Sequence, residues 1–236
     1  MTSLSKILIL GVGVTNAKEQ DILEFITKGL EKKDEKFYVV TPNPEILVIA
    51  NKNSYYKKVL NGAKIALPDG IGVVWGAQLL GKQLQERITG VDFVKSLCKH
   101  IANRPITVSF LGGRHNIAEL TAECLVRENP GLKVVWAYKD WENALKSKYT
   151  DILFVAFGSP KQEIWIKEHF SDIPAKVIIG VGGSFDFISG KIPRAPELLR
   201  NLGFEWLFRL FIQPWRIKRQ FSLLKYIYLI VKEKLR

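Results

Sequence analysis

Short apolar, β-branched runs recur along the chain at Lys6 to Leu10, Phe37 to Thr41, Lys64 to Leu67, Ile106 to Leu111, Lys133 to Ala137, Ile152 to Phe157 and Val177 to Val181. Each is followed by a segment whose apolar residues return every three to four positions. Strands alternating with helices predict right-handed βαβ crossovers, hence an α/β fold with a Rossmann-like, mostly parallel sheet and helices on both faces. Several runs carry no polar alternation, as strands covered on both sides require.

Turn residues follow six of these seven runs: Gly11 and Gly13, Pro42 to Pro44, Pro68 to Gly70, Gly112 and Gly113, Gly158 to Pro160, Gly182 and Gly183. An open parallel sheet binds ligands beyond the carboxyl ends of its strands. The pattern therefore predicts a site on that edge, although any one βα loop needs small residues for its turn alone. The alternation stops near residue 195. A catalytic domain over residues 1–195 and a basic helical appendage over 196–236 are expected.

In that last segment Phe221, Leu224, Ile227, Tyr228 and Val231 recur at helical spacing, and Lys218, Lys225 and Lys232 recur every seven residues. The formal charge of the chain is +12. From Arg200 onward there are nine basic and two acidic residues, so a surplus of seven lies in the tail. A basic amphipathic helix suits an anionic lipid surface. Docking on the domain core is the alternative, and nucleic-acid binding a weaker one, since no recognisable RNA or DNA module accompanies the charge. No run of about 18 uncharged apolar residues occurs, and the apolar start from Ile7 to Leu10 is too short for a signal-peptide core. A cytoplasmic protein, peripheral on the inner face of the cell membrane, is expected. Cys98 and Cys124 fit no paired motif and read as packed thiols.

Four loops could carry chemistry. Thr41 and Asn43, in Thr41-Pro42-Asn43-Pro44-Glu45, put a hydroxyl and an amide at the mouth of the sheet, suited to sugar hydroxyls; Asn43 is equally a helix N-cap. Asp69, between Pro68 and Gly70, reads either as a turn cap or as a general base for an acceptor hydroxyl. Arg87 and Asp92 form a charge pair that either bridges on the surface or orders the loop around Asp69. Gly158 to Lys161 opens a helix whose N-H groups and adjacent lysine attract phosphate, without the spacing of a Walker motif. In the fourth loop, Gly183 and Asp186 sit where a ribose or base could bind. No Asp-x-Asp pair is present and the three histidines lack ligand spacing, so neither a catalytic metal nor a cofactor is expected.

In combination, TPNPE at 41–45, LPDGIG at 67–72, RITGVD at 87–92, FGSPKQE at 157–163, VGGSFDFISGKIPRAP at 181–196 and GFEWLFRLFIQPWRIKR at 203–219 resemble the WecG/TagA/CpsF family of bacterial glycosyltransferases. The resemblance implies a metal-independent, inverting transfer of a sugar, typically N-acetylmannosamine or a relative, from a UDP donor to a polyprenyl-diphosphate-linked sugar in cell-surface polymer synthesis. It implies Asp69 as base, Thr41 and Asn43 as sugar-positioning residues, and Gln162 beside the donor or acceptor. Arg87 joins this catalytic group, and Gly112, Tyr138, Gly158, Lys161, Gly183 and Asp186 the substrate-binding one. Arg209, Arg216 and Arg219 from the tail are expected to close over the departing diphosphate. Two departures stand out: a shorter stretch between Tyr138 and Tyr149, where Tyr138 would approach the nucleotide, and Thr15 where the family often carries aspartate. The competing expectation is a membrane-docked protein that binds nucleotide sugars or phospholipids without catalysis. Assembly into a homo-oligomer is left open.

Overall fold

The computed structural model describes residues 4–31 and 36–235, and of residues 143, 144, 218 and 219 only the backbone. Strands β3 (Phe37–Val40), β4 (Ile65–Ala66), β5 (Thr107–Gly112), β6 (Lys133–Tyr138), β7 (Thr150–Ala156) and β8 (Ala175–Gly180) form one sheet in the order β4-β3-β8-β7-β5-β6. Every pairing in it is parallel. The central strands β7 and β8 are buried almost throughout, which is why their sequences are apolar without alternation.

The first apolar run departs from the expectation. Strands β1 (Lys6–Ile9) and β2 (Val12–Thr15) make a separate antiparallel hairpin in which Ile9 pairs with Val12. The two residues between them, Leu10 and Gly11, both take positive φ, 51° and 76°. Two such residues in a row give the tight turn whose twist matches a hairpin. Gly11 and Gly13 thus belong to this hairpin, not to the ligand edge. Thr15 ties the hairpin to the sheet by accepting a 2.9 Å hydrogen bond from the Ala66 N-H.

Helices cover both faces, with one apolar cluster on each side. On one side lie α1 (Glu19–Glu31), α5 (Gly90–Ile101), α6 (Ile117–Glu128) and the short α8 (Ser184–Ile188). On the other lie α2 (Pro44–Lys52), α3 (Ser54–Asn61), α4 (Ile71–Leu79) and α7 (Lys161–Glu168). After α9 (Glu197–Asn201) and α10 (Glu205–Ile212), the chain ends in α11 (Ile217–Lys234).

Helix α11 packs on α2 and α4. It does so through Tyr226 and Ile230, which are fully or almost fully buried in the second cluster. Glu233 holds its far end, accepting a 3.0 Å bond from the Leu10 N-H. The residues whose spacing marked the helix, Phe221, Leu224, Ile227, Tyr228 and Val231, all point away from the core and are exposed. The helix therefore has two apolar faces, one docked and one open. Among the described residues no helix is long and apolar enough to cross a membrane.

Candidate active site

The carboxyl ends of β3, β4, β7 and β8 open into a cavity of about 1160 Å³, roofed by α10 and α11. Its floor is set by backbone. Asp69 N-H bonds to Pro42 O at 3.0 Å and Ile88 N-H to Pro68 O at 3.1 Å, so the loops after β3 and β4 and the segment before α5 move as one piece. Gly70 follows at φ 87°, a conformation a side chain resists, and starts α4 immediately. Asp69 is thereby fixed at the cavity floor.

Its carboxyl is only partly accessible, through the cleft, and protein surrounds it elsewhere. Burial pushes its pKa from the ordinary 3.8 to about 7. Glu205 on α10 and Asp92 on α5 push the same way, while Arg87 and Arg209 oppose them. A carboxylate balanced near neutrality can accept a proton and release it again, which is what a general base must do.

Thr41 and Asn43 line the cavity on the β3 side. The Thr41 hydroxyl is buried and donates to Gly180 O at 3.1 Å, bracing β3 against β8. Asn43 is the N-cap of α2, its side chain accepting from Ile46 N-H at 3.0 Å. Arg87 lines the cavity and donates to Arg200 O at 2.9 Å, joining the rim beside Asp69 to α9. The expected pairing of Arg87 with Asp92 gives way to another one. Arg194 grips Asp92 with two bonds of 2.5 and 2.7 Å and reaches Glu205 at 3.2 Å, and this fork, with Thr89, holds Asp92 below the usual carboxylate range despite its burial.

The opposite wall is built around a buried carboxylate that the sequence motif contains but does not advertise. Glu163 accepts from Tyr56 OH at 2.8 Å, Ser159 Oγ at 2.7 Å and Gln162 Nε2 at 2.9 Å. The Gln162 Oε1 in turn accepts from Gly182 N-H at 2.8 Å. Gln162 is fully buried behind the wall and not part of it; its contacts fix the Gly182–Gly183 loop. Gly158 and Lys161 line the cavity, with Lys161 at the start of α7.

Gly183, Asp186, Arg209 and Arg216 also line it. Gly183 lies directly under Arg209: a Cβ there would be 2.8 Å from a guanidinium nitrogen. Arg209 stands 4.0 Å from Asp186 and its guanidinium carbon lies 4.5 Å from the Phe187 ring centre. The side chain of Arg219 lies outside the described residues.

Two more expected residues, besides Gln162, lie outside the cavity lining. Tyr138 is an exposed rim residue stacked on Trp136 at 5.9 Å, while Trp141, Lys139 and Asp140 farther along the same loop reach the cavity. Gly112 stands where a Cβ would come within 2.8 Å of the Ala156 backbone, so it serves the approach of β5 to β7 while Gly113 faces the cavity. Arg114 and Trp165 complete that basic and aromatic end. Thr15 is buried beside β4, outside the cavity lining. Among the described residues, no group of three or more His, Cys, Asp or Glu side chains is arranged to hold a metal ion.

The sequence matches the model of the Glycosyl transferase WecG/TagA/CpsF family over residues 7–236. It is 36% identical over 204 residues to an N-acetylglucosaminyldiphosphoundecaprenol N-acetyl-beta-D-mannosaminyltransferase of Bacillus spizizenii, covering 84% of this chain and 79% of the relative. Proteins of the same name in Bacillus subtilis and Staphylococcus aureus are 35% and 32% identical. The match covers 93% of this chain and 88% of the relative in the first case, and 99% and 95% in the second.

Proposed function

The chain belongs to the WecG/TagA/CpsF family of glycosyl transferases, and on that premise we propose that it moves N-acetylmannosamine, or a close relative, from a UDP donor to N-acetylglucosamine on a polyprenyl diphosphate. The observation that carries the reading is Asp69, a near-neutral carboxyl on the floor of a cavity whose rim is cationic. Asp69 takes the proton of the acceptor hydroxyl as that oxygen attacks the anomeric carbon from the face opposite the UDP. The bond from that carbon to the β-phosphate oxygen breaks, UDP leaves with the electron pair, and the configuration inverts.

Charge grows on the departing diphosphate, and fixed cations aimed at it lower the barrier. Lys161 with the α7 N-terminus supplies part of this, and Arg209 and Arg216 the rest, so that no metal is needed. Thr41 and Asn43 position the sugars, Asp186 and the loop of Lys139 and Trp141 take the nucleoside, and Gln162 acts through the Gly182 backbone. The open apolar face of α11 and the lysines beside it dock on an anionic membrane, bringing the rim to the lipid-borne acceptor. The test is a transfer assay with UDP-N-acetylmannosamine and a prenyl-diphosphate-linked N-acetylglucosamine in excess chelator. Turnover that persists supports the reading, and turnover that appears only with added divalent metal overturns its metal-free part.

A further inference from the structure

The cavity does not end at the base. From Asp69 it continues along α4, where Trp75 and Leu79 stand across from Leu223 and Ile227 of α11. This arm is apolar, whereas the end beyond Asp69 carries Arg87, Arg209 and Arg216. Ile71 to Leu79 spans eight residue steps, about 12 Å of groove at about 1.5 Å per residue.

Helix α4 sets the walls of the arm with two glycines one turn apart on one face. A Cβ on Gly76 would fall 2.0 Å from the Tyr226 hydroxyl, and one on Gly72 would fall 2.6 Å from Pro44. Helices α11 and α2 therefore close against bare backbone. Tyr226, almost wholly buried, packs its hydroxyl end against Gly76 and so fixes the α4–α11 spacing along the arm.

At the outer lip Trp75, Leu79 and Ile227 are 56%, 43% and 48% exposed. From Ile227 the exposed apolar surface passes over Leu224 and Val231 onto the open face of α11. An apolar patch of this extent, continuous with a charged cavity, is a binding surface in the making.

Resting on the function proposed above, we infer that this arm holds the first isoprene units of the acceptor lipid. A ligand with an apolar tail and a doubly charged head matches a cavity with an apolar arm and a cationic end. The acceptor lies along α4, with its diphosphate toward the arginines and its chain leaving over Ile227 toward the bilayer. Recognition is then of the lipid itself as well as of the sugar it carries.

The experiment uses the full chain in solution, without membranes. Acceptors are N-acetylglucosamine diphosphates esterified to methyl or to one, two or three isoprene units, kept below their micelle concentrations. Calorimetric affinity and kcat/KM should both rise about tenfold or more per isoprene unit until the groove is filled. In Leu79→Asn and Ile227→Asn, at half-exposed positions that tolerate polarity, the ratio of the three-unit to the methyl acceptor should fall at least about tenfold. Unaltered binding of UDP will show that the variants are folded.

Equal kcat/KM for all acceptors in the unaltered protein would overturn the groove while leaving the proposed reaction standing. A ratio that neither variant changes would also overturn it. Binding that follows chain length without any transfer would keep the groove and remove the reaction. If the variants instead change sedimentation and show no response to chain length, the surface belongs to a second copy of the chain and the inference fails.

Discussion

Replacing Asp69 by Asn should make the protein more stable in alkaline solution, and the gain should depend on pH in a way that a packing effect would not. The folded state holds this carboxyl at a pKa of about 7, against 3.8 in a solvated chain. Below pH 3.8 both states are protonated and burial of the group carries no ionic penalty. Between pH 3.8 and 7 the unfolded chain ionises while the folded one stays protonated, so stability falls as pH rises. Above pH 7 both are ionised and the loss is complete. At about 1.36 kcal/mol for each pH unit between the two values, the full loss is about 4 kcal/mol. Water reaching the carboxyl through the cleft screens some of this, which leaves about 2–4 kcal/mol. Asparagine has no proton to lose. Urea unfolding of both proteins at pH 4, 5.5, 7 and 8.5 measures the difference: the Asp69→Asn variant should gain steadily on the unaltered protein up to about pH 7 and then hold its lead. A difference that does not vary with pH, or that favours aspartate as pH rises, would refute the placement of this group in a desolvated cleft.

Two further outcomes follow from the same geometry. Glu205→Gln removes the like charge that helps raise Asp69, so the rising limb of the kcat/KM profile should move to lower pH; an unmoved limb would mean that α10 does not face the base. Ile230→Ala, on the docked face of α11, should cost about 2–5 kcal/mol in a single unfolding transition, whereas Phe221→Gln with Leu224→Gln on the open face should leave unfolding unchanged and weaken binding to anionic liposomes.

Much of this could be read from the chain beforehand because it rests on local chemistry. Runs such as Ile152 to Phe157 are apolar without alternation, and only a strand covered on both faces demands that. The position of Asp69 at the sheet edge was legible because Pro68 and Gly70 mark the turn that follows the strand. What escaped was decided by one local turn and by contacts far apart in sequence. Lys6 to Leu10 reads like the other strands, and only the left-handed pair at Leu10 and Gly11 turns it into a hairpin. Arg194 lies 102 residues from Asp92, so nothing local identified it as the partner in place of Arg87. Glu163 looks like an ordinary first-turn acid until Tyr56, 107 residues earlier, is brought onto it. In α11 the helical period was plain, but a period does not say which side docks. Tyr226 and Ile230 meet the core while the more conspicuous aromatic and leucine stripe faces outward.

The central claim is that Asp69 removes the proton from the acceptor hydroxyl, and a single-turnover assay with Asp69→Asn tests it most directly. With donor bound and prenyl-linked acceptor in excess, the transfer rate should fall by about 10²–10⁴, the range a positioned base contributes, while the Kd for UDP stays within about twofold. A rate within about threefold of the unaltered protein, with binding intact, would contradict it.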